Sequence, residues 1–203
     1  MPDVTDHYFS PQPGTAVQRR EVEFTVAGRE YELTTAGGVF SAARLDPGTA
    51  VLLRKADLPT ADTTGPLLDL GCGYGPIACV LATAAPGATV YAVDVNARAR
   101  ELAAENADRV GAADRVRVLA PDDVPADVTF AQLWSNPPIR IGKDELHAML
   151  GRWLPRLAPD GVGWLVVARH LGGDSLQRWL AEQGWRVERH ASQKGYRVFR
   201  VTR

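Results

Sequence analysis

Apolar and polar positions alternate twice near the start of the chain, in EVEFTV (21–26) and REYELTT (29–35), with Ala27-Gly28 between the two runs. Alternation on both sides of a two-residue gap predicts a β-hairpin. Residues 1–20 ahead of it are polar and proline-containing and predict an irregular lead-in. AGGVFS (36–41) reads as a flexible glycine segment carrying one aromatic, Phe40, and LDPGTAVLLRKA (45–56) as a turn followed by a helix.

The pattern then changes. PLLDLG (66–71) is a short apolar run that leads into glycines and a helical stretch to about Thr83. ATVYAVDV (88–95) predicts a second strand. NARARELAAENADRVG (96–111) predicts an amphipathic helix, with Asn96 as its N-cap and Gly111 as its stop. RVRVLA (115–120) and VTFAQLWSN (128–136) predict two more strands. DELHAMLGRWLPRL (144–157) predicts a helix with Leu146, Met149, Leu150 and Trp153 on one face. VGWLVVAR (162–169) is a further strand and DSLQRWLAEQGW (174–185) a helix. RVERHAS and GYRVFRVT then alternate on either side of QKG. Strands alternating with helices imply parallel pairing through helical crossovers. The predicted fold is α/β: a doubly wound, mostly parallel seven-stranded sheet that ends in an antiparallel β-hairpin and is preceded by a short N-terminal hairpin. A single domain over 1–203 is expected.

Composition narrows the class without naming it. The chain of 203 residues is 45% hydrophobic and 23% charged, ordinary values for a soluble globular protein. Its apolar runs are strand-sized and fall well short of the ~20 residues of a membrane span. With no basic and apolar leader pattern at the N-terminus, a cytoplasmic protein is expected. Cys72 and Cys79 form neither a disulfide framework nor a metal-binding spacing, so no metal is expected. The net charge of −1 conceals an asymmetry. Residues 1–138 carry 11 Lys and Arg against 18 Asp and Glu, whereas residues 139–203 carry 12 against 6. Basic charge concentrated in one third of the chain can form a face that attracts phosphates.

The chemistry gathers at the C-terminal ends of the predicted strands. DLGCGYGPI (69–77) lies between a strand and a helix, where Gly71, Gly73 and Gly75 let a ligand approach the backbone. The spacing is G-x-G-x-G, one residue tighter than the dinucleotide fingerprint, and Asp69 precedes it. A carboxylate there would repel a pyrophosphate and attract a cation such as an amino group. The second strand ends at Asp94, 19 residues after Gly75, where an acid accepts hydrogen bonds from ribose hydroxyls. Asp122 or Asp123 follows the third strand, within reach of an adenine amino group. A ligand with a ribose, amino groups and no phosphate fits these acids, and S-adenosylmethionine is such a ligand.

DLGCGYG, VYAVDVN and SNPP resemble the first, second and fourth motifs of class I S-adenosylmethionine-dependent methyltransferases, and LPRLAPDGVGWLVV resembles the segment leading into their fifth strand. A narrower resemblance runs through YFSPQP (8–13), TTAGGVFSAARLDPGTAVLL (34–53), SNPPIRIGKDELHAML (135–150) and SQKGYRVFRV (192–201). These stretches are similar to the RsmC/RlmG family of ribosomal RNA guanine-N2 methyltransferases, and especially to its short single-domain members. The best-known members carry a duplicated N-terminal domain that helps bind RNA, and a chain of 203 residues is expected to lack it.

The resemblance implies a Rossmann-like methyltransferase. Residues 1–56 would form an extension with the hairpin and a substrate or cofactor lid, and 57–203 the catalytic core. It also implies methyl transfer to the exocyclic amine of guanine and a ribosomal RNA or ribosomal subunit as partner. Gly38-Val39-Phe40 would lie near the pocket. The expected cofactor contacts are Asp69, Gly71, Cys72, Gly73, Gly75, Asp94, Val95, Asp122 and Asn136.

In this frame Asn136-Pro137-Pro138 is the expected catalytic elbow. The Asn136 side-chain carbonyl and the Pro137 backbone carbonyl can each accept an N–H of the target amine. That orients the nitrogen lone pair, while the prolines stiffen the turn without adding donors. Phe40 and Ile139 are candidates to sandwich the base, and Arg140 and Lys143 to hold substrate phosphates, with Arg169 and Lys194 as weaker ones. Many Asn-Pro-Pro enzymes place an aromatic where this chain has Ile139. Protein glutamine, adenine and small-molecule substrates remain alternatives, as does a non-catalytic S-adenosylmethionine- or RNA-binding module.

Overall fold

The structure is a computed structural model and describes residues 18–41, 43–138 and 142–203. Strands β1 (Arg19–Val26) and β2 (Arg29–Ala36) form the expected antiparallel hairpin. Ala27 and Gly28 both take positive φ, 49° and 79°, which matches the twist of the flanking strands. Val22 pairs with Leu33 and Phe24 with Tyr31, whose rings stack at 5.1 Å. This two-stranded sheet shares no ladder with the main one.

The main sheet contains β3 (Leu67–Leu70), β4 (Val90–Val93), β5 (Val116–Leu119), β6 (Phe130–Ser135), β7 (Leu157–Ala168), β8 (Arg186–Gln193) and β9 (Tyr196–Thr202). Its order is β5-β4-β3-β6-β7-β9-β8. The first five strands run parallel, and β9 inserts antiparallel between β7 and β8. The order reverses beside β3, the switch point at which doubly wound sheets bind ligands.

Helices α1 (Pro47–Lys55), α2 (Pro76–Ala84) and α3 (Ala97–Arg109) share one hydrophobic cluster, and α4 (Lys143–Trp153) and α5 (Gly173–Glu182) another. Successive residues of β3 feed the two clusters: Leu67 joins the first, Leu68 and Leu70 the second. A strand covered on both faces is buried throughout, and all four residues of β3 are. Trp134 and Trp164 pack in the first cluster, Phe130 and Trp153 in the second.

Predicted boundaries shift where α4 meets β7, and the strand expected over 162–169 spans Leu157–Ala168. The helix expected to reach residue 157 ends at Trp153, and Leu154–Arg156 forms a 3-10 turn. Pro155 lacks the N–H that another α-helical turn would need. Chain pairing with β6 resumes at Leu157, and an irregularity between Phe130 and Gln132 brings Gln132 opposite Val162.

The hairpin is held to α3 by side chains. Asn106 accepts from the Thr34 N–H at 2.7 Å and donates to the Thr34 carbonyl at 2.7 Å and the Tyr74 carbonyl at 2.8 Å. Arg109 adds bonds to Thr34 Oγ1 and Glu32.

Candidate functional site

The parallel strands end at a cavity of about 740 Å3, lined by Leu70, Gly71, Gly73, Asp94, Asn136 and Ala168 among others. Its size suits a small organic ligand. The glycine turn forms its floor. At Gly73, with φ 56°, a Cβ would meet nothing within 4 Å, so the backbone there is open to a ligand. Gly75, at φ 86°, has the opposite constraint: a Cβ would stand 3.1 Å from that of Ala103, so this glycine lets α2 pack on α3.

Asp94 locks the turn to the end of β4. Its Oδ2 accepts from the Gly73 N–H at 2.8 Å and its Oδ1 from the Asn96 N–H at 2.9 Å. Burial raises its pKa, while these bonds and Arg100 oppose the rise. A carboxylate has about four lone-pair sites, so two bonds leave acceptors for hydroxyls. Val95, beside it, also lines the cavity.

The other two expected acids do not face the cavity. Asp69 is fully enclosed. Its Oδ2 accepts from the Ala78 N–H at 2.9 Å, binding β3 to the first turn of α2, and its Oδ1 is buried with no hydrogen-bond partner among the described residues. Burial is the main cause that pushes its carboxyl up to about 8. Asp122 is not among the lining residues: its carboxylate accepts from Arg152 of α4 at 2.8 Å, its side chain is 88% exposed, and Pro121 and Arg152 line the wall beside it. Cys72 is buried with its thiol pushed up by burial, and it leaves the lining to Gly71 and Gly73.

The elbow does face the cavity: Asn136, Pro137 and Pro138 all line it. The Asn136 amide nitrogen donates to Asp46 Oδ1 at 2.6 Å and to Thr49 Oγ1 at 3.0 Å. An ionised carboxylate only accepts, so the amide must turn its NH2 toward Asp46. Among the described residues nothing donates to the Asn136 carbonyl oxygen. Asp46 is also the N-cap of α1, accepting from the Thr49 N–H at 2.9 Å. The Asp-Pro-Gly sequence announces that cap, but nothing local announces a contact 90 residues away.

Phe40 and Val39 line the cavity. Arg98 donates to the Gly37 carbonyl at 2.8 Å and Asn96 to the Gly38 carbonyl at 3.0 Å, which fixes their approach. Phe40, Val95 and Leu171 are the exposed large hydrophobic side chains among the described residues, and all three stand on the cavity wall. Apolar surface left exposed around one opening suits a planar ring. Leu171, His170 and Tyr196 escape sequence reasoning because the turn after β7 and the facing of β9 depend on tertiary packing. Lys143 opens α4 on the surface and does not line the cavity. Ile139 and Arg140 lie outside the described residues.

A profile of the methyltransferase small domain family matches residues 30–200. The chain is 32% identical to the uncharacterized protein YbxB of Bacillus subtilis over 98% of both chains. It is 40% identical over 126 residues to ribosomal RNA small subunit methyltransferase C of Aeromonas hydrophila, spanning 61% of this chain and 34% of that protein. The Alcanivorax borkumensis protein of the same name is 30% identical, over 85% of this chain and 52% of its own length. The chain thus spans between a third and about half of these methyltransferase relatives. The Thermus thermophilus 16S rRNA N2 G1207 methyltransferase RsmC, solved with AdoMet and guanosine, shares the fold with a TM-score of 0.76 at 23% identity, over 94% of this chain and 52% of that one. The cavity floored by open glycine backbone, with a hydrogen-bonding acid at the end of β4, fits the cofactor of such enzymes. The chain belongs to the methyltransferase small domain family, whose cofactor is S-adenosylmethionine.

Proposed function

We propose that the protein methylates the exocyclic N2 amine of a guanine in ribosomal RNA. The observation that carries this reading is the orientation of Asn136. Asp46 and Thr49 occupy its NH2, so an incoming group meets its carbonyl oxygen. Next to it stands Pro137, which has a carbonyl and no N–H. A site presenting acceptors selects a donor, and an amine has two N–H groups to give.

When bound, S-adenosylmethionine supplies an electrophilic methyl group on a sulfonium. Gly71 and Gly73 would receive it against open backbone, and Asp94 would accept from its ribose hydroxyls. An aromatic amine is a weak nucleophile because its lone pair is delocalised into the ring. Accepting both N–H groups on one side, Asn136 and Pro137 favour a pyramidal nitrogen and turn its lone pair into the cavity. Positioning of this kind lowers a barrier by several kcal/mol, about tenfold in rate for each 1.4 kcal/mol. No strong base is needed, since the amine sheds its proton once methylation has made it cationic. Phe40 and Leu171 offer apolar surface to the ring. The similarity to small-subunit RNA methyltransferases and the basic C-terminal third support an RNA substrate.

The test is transfer of tritiated methyl groups to bulk RNA from cells lacking the protein, with the protein fraction of the same cells as comparison and Asn136→Ala as the inactive control. Label on N2-methylguanosine in RNA digests is the expected result. Label on glutamine in the protein fraction, or none on either, would overturn it.

A further inference from the structure

A second hollow opens beside the cavity, at the β8–β9 turn. It measures about 240 Å3 and is lined by Arg169, Arg189, Ser192, Lys194, Tyr196 and Arg197 among others. Tyr196 lines both hollows, so the two adjoin at this residue. The turn after β7 serves both as well. In the 3-10 segment Arg169–Leu171 successive side chains point about a third of a turn apart. His170 and Leu171 line the cavity, whereas Arg169 lines the second hollow.

The hollow is cationic by construction. The Arg169 N–H donates to the Gly195 carbonyl at 2.8 Å, which fixes the end of β7 against the turn. Lys194 and Gly195 take φ of 50° and 81°, the tight two-residue hairpin geometry, and this holds Lys194 at the lip. Asp174 is shared between Arg189 and Arg197. Among the described residues no carboxylate pairs with Arg169 or Lys194. Four cations against one bound carboxylate leave the hollow strongly positive, with the Ser192 hydroxyl as an added donor.

We propose that this hollow is a phosphodiester subsite, which holds a backbone phosphate of the strand whose target base enters the cavity. The proposal rests on the RNA reading above. Arg169 and Lys194 are the two groups with charge to give. Contacts of this kind position a strand without reading its sequence. They also give this part of the basic C-terminal third a task close to the chemistry.

The test uses a fluorescein-labelled, guanine-containing single-stranded RNA 12-mer, with Kd measured across a salt series. Each phosphate contact on a single strand contributes a slope of about 0.7 in log Kd against log salt. Arg169→Ala with Lys194→Ala is expected to raise Kd about tenfold or more at low salt and flatten the slope by about 1.4. S-adenosylmethionine affinity should be unchanged, which shows that the fold is intact. Arg186→Ala, at the opposite end of the β8–β9 hairpin, should leave Kd within about twofold. An unchanged Kd and slope in the double variant, with RNA still bound and methylated, would overturn the subsite and spare the function. Failure of the unaltered protein to bind RNA, or equal binding of a polyglutamate 12-mer, would overturn both.

Discussion

The Asn136 carboxamide meets the Asp46 carboxylate at 2.6 Å, which joins the end of β6 to the start of α1. Asp46 accepts from the Thr49 backbone N–H with the same oxygen, so the helix cap and the elbow share one acceptor. The orientation of the elbow thus depends on how α1 begins.

Asp46→Ala should lower kcat by about tenfold to a hundredfold, on the scale of 1.4 kcal/mol per tenfold. S-adenosylmethionine affinity should stay nearly constant. Loss of the cap should also cost about 1 kcal/mol of stability. Asp46→Asn keeps an oxygen that can serve both the cap and the elbow, and should restore most of kcat. Single-turnover kinetics and thermal melting of both variants check this. Equal losses in the two variants would assign the effect to charge and not to amide orientation.

Asp94→Ala should weaken S-adenosylmethionine binding at least tenfold by calorimetry. It removes charge-assisted acceptors and also frees the Gly73 N–H that shapes the cavity floor. Unchanged affinity would remove Asp94 from the cofactor site.

Asp69 should make the ligand-free protein sensitive to alkali. Its folded pKa of about 8 lies well above the 3.8 of an ordinary aspartate, so the folded state keeps a proton that the unfolded chain releases. The stabilisation from that proton is complete below pH 4 and lost as pH rises through 8. Melting temperature should therefore fall between pH 5 and pH 8, and Asp69→Asn, which cannot titrate, should flatten the fall. Asp94 is shifted in the same direction and should leave a remainder. Scanning calorimetry at four pH values reads the difference, and an unaltered slope in the variant would contradict it.

Gly75→Ala should destabilise the fold by about 1–2 kcal/mol through its left-handed backbone alone. The 3.1 Å approach to Ala103 adds to this. Chemical denaturation measures the sum. Stability equal to that of the unaltered protein would mean that the turn tolerates a Cβ.

Much of this architecture can be read along the chain because it is local. Alternation around Ala27-Gly28 yields the first hairpin, and Asn96 and Gly111 bracket α3 because capping involves neighbours a few residues apart. Asp94 and the elbow stand at the cavity because strand ends are predictable once strands are. Asp122 shows the complementary case. Its position after β5 is local, but its ion-pair partner, Arg152, arrives from α4. Asp69 has the right position in its motif, yet the depth of the sheet encloses it. Asp46 and Tyr196 belong to the cavity wall only through packing between elements far apart in sequence, and no periodicity records that.

Asn106 gives the N-terminal hairpin an unusual mooring. One carboxamide bonds both backbone groups of Thr34 as a neighbouring strand would, and reaches the Tyr74 carbonyl with the same nitrogen. The hairpin, which shares no ladder with the main sheet, is thus tied through one α3 side chain to the glycine turn under the cofactor site, beside the bonds that Arg109 makes to it. Position 106 is therefore a junction of three elements: a substitution there strips hydrogen bonds from the hairpin, from α3 and from the cofactor turn at once.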